Sequence, residues 1–189
     1  VNHNEIKWII DPLDGTVNFA HGLPIFSVSI AAEFQNEILA AVIYNPILKE
    51  MFTAVKNNGA FLNDTRIVVS DETDLGTAFL VTGFPYNVDK NPYSCVDTFV
   101  NVVLQGIPIR RLGSAALDLA YVACGRFDGF WEINLNPWDV AAGYLIVEEA
   151  GGKVTQYNNS AYNIYDETII ATNGLIHNQV VDLINSVKI

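Results

Sequence analysis

Asp11-Pro12-Leu13-Asp14-Gly15-Thr16 places two carboxylates three residues apart, stiffened by a proline and released through a glycine, so both can turn toward one point. Carboxylate and carbonyl oxygens are hard ligands that suit Mg²⁺ or Mn²⁺, and the Leu13 carbonyl lies within reach as a further ligand. A short helix opening after Gly15 would present free N–H groups beside the Thr16 hydroxyl, a site for a phosphate oxygen. Metal and phosphate would then meet in one place. The structural alternative is an Asx-Pro turn in which Asp14-Gly15 is plain turn chemistry.

Other acids stand at strand-to-helix junctions. Asp139 follows Pro137 and Trp138 at a helix start, where a carboxylate either caps the helix or serves chemistry. Glu132 ends an aromatic run, RFDGFWEI, as its one acid after Asp128; a solvated strand end is the alternative. Gly113-Ser114-Ala115 opens a helix, either as a simple N-cap or with backbone N–H groups turned to a ligand. Acids gathered in one cleft repel and raise each other's pKa unless cations neutralise them. Two divalent ions would do so, and would also polarise a phosphoryl oxygen, activate a water and stabilise the leaving alkoxide. No Ser-His-Asp or Cys-His nucleophile is evident: His3, His21 and His177 are scattered, and His21 beside Gly22 suits a loop or cap. Walker and GxGxxG loops are absent.

These residues need a scaffold. Lys7 to Ile10 reads as a strand emptying into a loop at Asp11-Pro12. Phe26, Val28, Ile30, Ala32 and Phe34 alternate with Ser27, Ser29, Ala31 and Glu33, the period of a strand with one buried face. Runs at 38–44 and 51–55, separated by turn-rich NPILKE and closed by Asn57-Asn58-Gly59, favour consecutive antiparallel pairing. After residue 75 strands and helices alternate: TAFLVTG, then a helix ending at Gly106, IPIRRLG, and SAALDLAYVACG as an amphipathic helix marked by Leu117, Ala120, Tyr121 and Cys124. RFDGFWEI, a helix from Pro137, KVTQY, TIIATN and a closing helix with Ile176, Val180, Ile184 and Val187 on one face complete the chain. Two subdomains are expected: 1–75, sheet-rich, and 76–189, α/β, packed together without a flexible linker.

The 189 residues carry 10 basic and 21 acidic side chains, a formal charge of −11 that argues against nucleic-acid partners, which demand clustered Lys and Arg. Apolar runs fall short of the roughly 20 residues a bilayer helix needs, and the N-terminus is polar rather than signal-like. The chain reads as soluble, with no membrane partner and the cytoplasm as its default location. Cys95 and Cys124 read as reduced, buried thiols rather than zinc ligands.

WIIDPLDGTVNFAHGLPIFSVSIA, RRLGSAALDLAYVACGRFDGFWE and NPWDVAAGYLIVEEAGG, in that order, closely resemble the inositol monophosphatase family of metal-dependent, lithium-sensitive sugar phosphatases. The resemblance implies an α/β layered sandwich of alternating helix and sheet layers, with a mainly antiparallel first sheet and a mixed second one. It implies a Mg²⁺-dependent phosphomonoesterase (Mn²⁺ as a substitute) acting on inositol monophosphate or a related sugar phosphate through a metal-activated water, and a homodimer. Asp11, the Leu13 carbonyl, Asp14 and Asp139 take the metal roles, and Asp14 and Thr16 the catalytic ones. Gly15 and Thr16 match the phosphate-binding positions, Glu132 the carboxylate accepting hydrogen bonds from sugar hydroxyls, and Gly113, Ser114 and Ala115, with Asp139, the lining of the substrate. VNFAH resembles the inositol phosphatase branch rather than the nucleotide branch. Family members carry a longer segment before the first motif, including a Glu-Glu helix whose acid shares a metal. On that comparison the chain is expected to be a fragment, feeble as an enzyme by itself, with apolar surface of its first sheet exposed. Fructose-1,6-bisphosphatase activity, with Arg110-Arg111 as a second phosphate contact or merely a solvated strand end, is one alternative. A non-catalytic metal- or anion-binding regulatory module is the other.

Overall fold

The computed structural model describes residues 5–187, so His3 lies outside the described residues. The first sheet is six strands in chain order, each antiparallel to the next: β1 (Lys7–Asp14), β2 (Ser27–Phe34), β3 (Glu37–Asn45), β4 (Glu50–Val55), β5 (Ala60–Leu62) and β6 (Thr65–Ile67). The turn signals enforce this order: Asn57 and Gly59, both at positive φ, reverse the chain into β5. A one-turn helix, α1 (Thr16–Ala20), fills the gap between β1 and β2.

The second sheet is built from β7 (Leu80–Thr82), β8 (Ile109–Arg110), β9 (Gly129–Ile133), β10 (Lys153–Thr155) and β11 (Thr168–Thr172), in the order β10-β11-β9-β7-β8. β7 pairs parallel with both β8 and β9, while β11 runs antiparallel to β9 and β10. Helices α2 (Cys95–Leu104) and α3 (Ala115–Ala123) make the parallel crossovers; α4 (Pro137–Glu149) and α5 (His177–Asn185) follow β9 and β11.

The layers run first sheet, α3 with α4, second sheet, then α2 with α5. One apolar cluster joins Ile43 and Phe52 of the first sheet, the α3 and α4 cores, and Phe130 and Ile169 of the second; the other joins Leu80, Trp131 and Ile170 to Val102 and Val180. This is the expected layered α/β sandwich with an antiparallel first sheet and a mixed second sheet. No helix among the described residues is long and apolar enough to cross a membrane. Both cysteines are free, Cys95 buried and Cys124 half-buried.

Three local readings are corrected, and the inner side of β2, which alternation left open, is fixed. The α3 helix is not amphipathic: all nine of its residues are buried, because it lies between two sheets and beside α4. At that crossing Gly143 lets the helices approach, since a Cβ there would come within 2.5 Å of Leu119. The apolar side of β2 is not its buried side: Ser27, Ser29, Ala31 and Glu33 face α4, whereas Val28, Ile30 and Phe34 are only half-buried. Across the sheet that outer side continues through Trp8 (63% exposed), Ile10 (50%), Met51 (41%) and Val55 (51%). The IPIRRLG strand shrinks to two residues at a sheet edge, where Pro108 has no N–H to give. Finally, Ile176 caps the closing helix and Val187 lies past its end rather than on its face.

Candidate active site

Asp11 and Asp14 stand three residues apart on β1, which in a regular strand would send them to opposite faces. A bulge cancels this. Asp11 pairs with Ser29 and Asp14 with Ser27, so the β1 side holds one extra residue and both carboxylates emerge on the same side. The strand therefore continues through the motif instead of ending at Pro12. Leu13 N–H donates to Asp11 Oδ1 at 2.9 Å, so the Asx turn is present together with the carboxylate cluster, not in its place. Gly15 has φ of 84°, and a Cβ on it would lie 2.9 Å from the Ile25 carbonyl, so no other residue fits the sharp turn into α1.

Two helix starts close the site from the far side. The second oxygen of Asp14 accepts hydrogen bonds from the Ser114 hydroxyl and from Ala116 N–H (3.0 Å), so the N-terminus of α3 grips this carboxylate. Asp139 Oδ2 accepts from Asn136 N–H at 2.7 Å, which fixes it at the start of α4. Asp139 is thus a helix cap and a cleft-lining carboxylate at once. One oxygen from each of Asp11, Asp14 and Asp139 lies within 4.8 Å of the others, a set of hard donors that could hold a metal ion. The buried Asn18 of α1 binds this corner together, its amide donating to the carbonyls of Ile25 and Leu112 at 2.8 Å.

The cleft, about 450 Å³, is also lined by Leu13, Gly15, Thr16, Gly113, Ser114, Ala115 and Glu132, so the residues expected to hold metal, phosphate and sugar meet in one place. Within the cleft no acid is held in an ion pair: the three ion pairs among the described residues, Lys7–Glu33, Lys56–Glu37 and Arg126–Glu50, lie elsewhere, and Arg111 is the one cation in the lining. Burial lifts Asp14 to about 6, against the pull of Ser114 and Ala116 and with help from Asp139 and Asp11. Glu132 rises to about 8 through burial and then the charges of Asp139 and Asp14, with Arg111 opposing. Burial raises Asp139 as well. A site that keeps its acids this crowded favours a bound cation. A larger opening of about 690 Å³ between Tyr93, Tyr157 and Glu167 gathers no comparable ligand set among the described residues.

The structure adds residues that the sequence reading passed over. Asp118, one turn into α3, is fully buried on the cleft floor with Oδ1 unpartnered; burial, then Glu132 and Asp14, hold its pKa well above the usual range. An acid in the otherwise apolar SAALDLAYVA was its visible signal. Arg111 lines the cleft with its guanidinium 5.4 Å from the Phe84 ring centre, whereas Arg110 packs over Phe79. The arginine pair is therefore split, one toward the site and one away. Gly83 also lines the cleft, and nothing in its local sequence signalled it.

The sequence matches the inositol monophosphatase family over residues 1–188. It is 45% identical over 170 residues to an inositol-1-monophosphatase of Mesorhizobium japonicum, covering 90% of this chain and 64% of the relative. It is 47% identical over 168 residues to the Nus factor SuhB of Pseudomonas aeruginosa, covering 88% and 62%. Among solved structures, the inositol monophosphatase of Anabaena superposes with a TM-score of 0.92 at 43% identity, covering all of this chain and 75% of that one. The chain thus spans less than two thirds of the length of these curated relatives.

Proposed function

The chain belongs to the inositol monophosphatase family, and from that premise we propose that its cleft hydrolyses the phosphomonoester of inositol or a related sugar with Mg²⁺ as cofactor. The observation that carries the reading is the convergence of Asp11, Asp14 and Asp139 beside the start of α1, with Glu132 lining the same cleft. The three carboxylates, with the Leu13 carbonyl, would hold the cation. Once bound, it supplies Lewis acidity toward a phosphoryl oxygen and makes water a better nucleophile.

The chain's own groups do the rest. Ser114 and Ala116 hold Asp14 in one orientation, so its free oxygen is aimed before any ligand arrives. Gly15 and Thr16, at the opening of α1, offer N–H and hydroxyl donors to the phosphate. Because the Ser114 hydroxyl is spent on Asp14, the 113–115 segment faces the substrate ring through its backbone. Glu132 accepts from ring hydroxyls, which orients the ester without touching the phosphorus. Lithium sensitivity, a homodimer and a cytoplasmic location belong to the same reading and rest on family membership alone.

Two specific observations keep other readings in view. Arg111 in the cleft suits a second phosphate, as in a sugar bisphosphate. A relative bearing the name Nus factor supports a regulatory binding role instead. Hydrolysis of a panel of inositol, sugar, bisphosphate and aryl esters by the full-length protein, with and without Mg²⁺, separates them. Turnover of inositol monophosphate that vanishes without the metal is expected, and metal-independent or absent turnover refutes the proposal.

A further inference from the structure

β7 and β9 lie side by side and parallel, with Thr82 paired to Trp131 and its hydroxyl donating to the Trp131 carbonyl at 2.6 Å. The next residues along the two strands are Gly83 and Glu132. Here the Glu132 carboxylate folds across onto the Cα of Gly83, so closely that a methyl group built on Gly83 would overlap both carboxylate oxygens. Gly83 is not at positive φ, so its backbone does not demand glycine. What the site uses is the missing side chain. Glu132 cannot retreat by moving its backbone, because β9 is buried throughout and locked between β7 and β11. Any side chain at position 83 must therefore swing the carboxylate to another rotamer, away from its place on the cleft wall.

We propose that Gly83 is a positioning residue, whose bare Cα sets the reach of Glu132 and thereby the preference of the cleft for esters that carry ring hydroxyls. This deepens the reading of the cleft as a sugar phosphatase and rests on it. Gly83→Ala is a clean probe, since alanine fits the backbone there and the group it displaces is the end of a flexible side chain.

The experiment measures kcat and KM for inositol monophosphate and for a hydroxyl-free aryl phosphate in the full-length wild type, Gly83→Ala, Glu132→Ala and the double variant, with thermal melting to check folding. Gly83→Ala is expected to lower kcat/KM for the inositol ester by roughly tenfold beyond any loss on the aryl ester, the value of one hydrogen bond from a ring hydroxyl. In the Glu132→Ala background the same change should cost little further, because no carboxylate remains to displace. Equal losses on both esters, or additive losses in the double variant, would overturn the proposal. Should the wild type hydrolyse neither ester, the function reading fails, and a crystal structure of Gly83→Ala still decides: a Glu132 carboxylate left in place overturns the positioning role.

Discussion

Two regions of the molecule bury ionisable side chains, and they treat them in opposite ways. In the cleft, Asp14, Asp118, Glu132 and Asp139 share one space with Arg111 as the nearby cation, and burial shifts all four upward. At the other place, His177 at the start of α5 is 1% exposed between Thr155 of β10 and Thr172 of β11, each hydroxyl 2.9 Å from a ring nitrogen. That network is complete in itself. Thr155 donates to the Gln156 carbonyl and so accepts from Nε2–H, while Thr172 accepts from Gly174 N–H and gives its proton to Nδ1. The ring is satisfied as a neutral imidazole, and its pKa is pushed down to about 4 by burial and then by Lys153. A polar group whose partners all come from the chain is structural, whereas a surplus of charge without partners marks a place for something that arrives from outside.

The largest effect should come from breaking the cleft side of this contrast. Asp14→Asn removes a charged ligand at nearly constant volume and should weaken Mg²⁺ or Mn²⁺ binding by more than about 100-fold, with Asp139→Asn weaker in effect. Ser114→Ala, which frees the gripped oxygen of Asp14, should cost roughly 10–100-fold. Calorimetric titration checks all three, and unchanged affinity in the two aspartate variants would dissolve the metal assignment.

On the His177 side, acid should act through folding instead. The unfolded chain takes up this proton near pH 6.5 but the folded one only near 4, so its contribution is complete above the ordinary value and is lost as pH falls through that window. The loss is on the order of 3 kcal/mol at the acid end. Urea denaturation from pH 7.5 to 4, compared between wild type and His177→Leu, isolates it from the cleft acids, whose raised values act in the opposite direction. Parallel pH profiles for the two proteins would remove His177 from the account. At neutral pH the smallest effect is expected: His177→Leu strands the Thr172 hydroxyl and costs about 1–3 kcal/mol, while divalent metal affinity stays as in the wild type. A drop in affinity would mean the two regions are coupled.

Much of the candidate site was legible because the chemistry is local. DPLDGT carries its own turn, its glycine and two of the three clustered acids within a few residues, and Pro137 with Asp139 announces a helix start. The residues missed act across the fold. Asp118 looks like an interruption of an apolar helix until α3 is seen to begin on the cleft floor. Gly83 is silent in sequence because its role is defined by a side chain 49 positions later. Asn18 served only as part of VNFAH, although its amide ties α1 to the loop before α3.

The amino-acid order by itself determined which segments become strands and helices, since periodicity, turn residues and caps act over a few neighbours. It also determined that two acid-bearing motifs exist to be brought together. Only the tertiary structure decided which way the elements face. Alternation along β2 defines two sides but not which is inner, and the smaller, more polar side of Ser27, Ser29 and Ala31 lies inward because α4 packs there. Likewise the bulge that turns Asp11 and Asp14 to the same side, and the grip of α3 on Asp14 across 100 residues, exist only once β2 and α3 are in place. Spacing along a chain sets what can meet, and packing energy summed over the whole core sets what does.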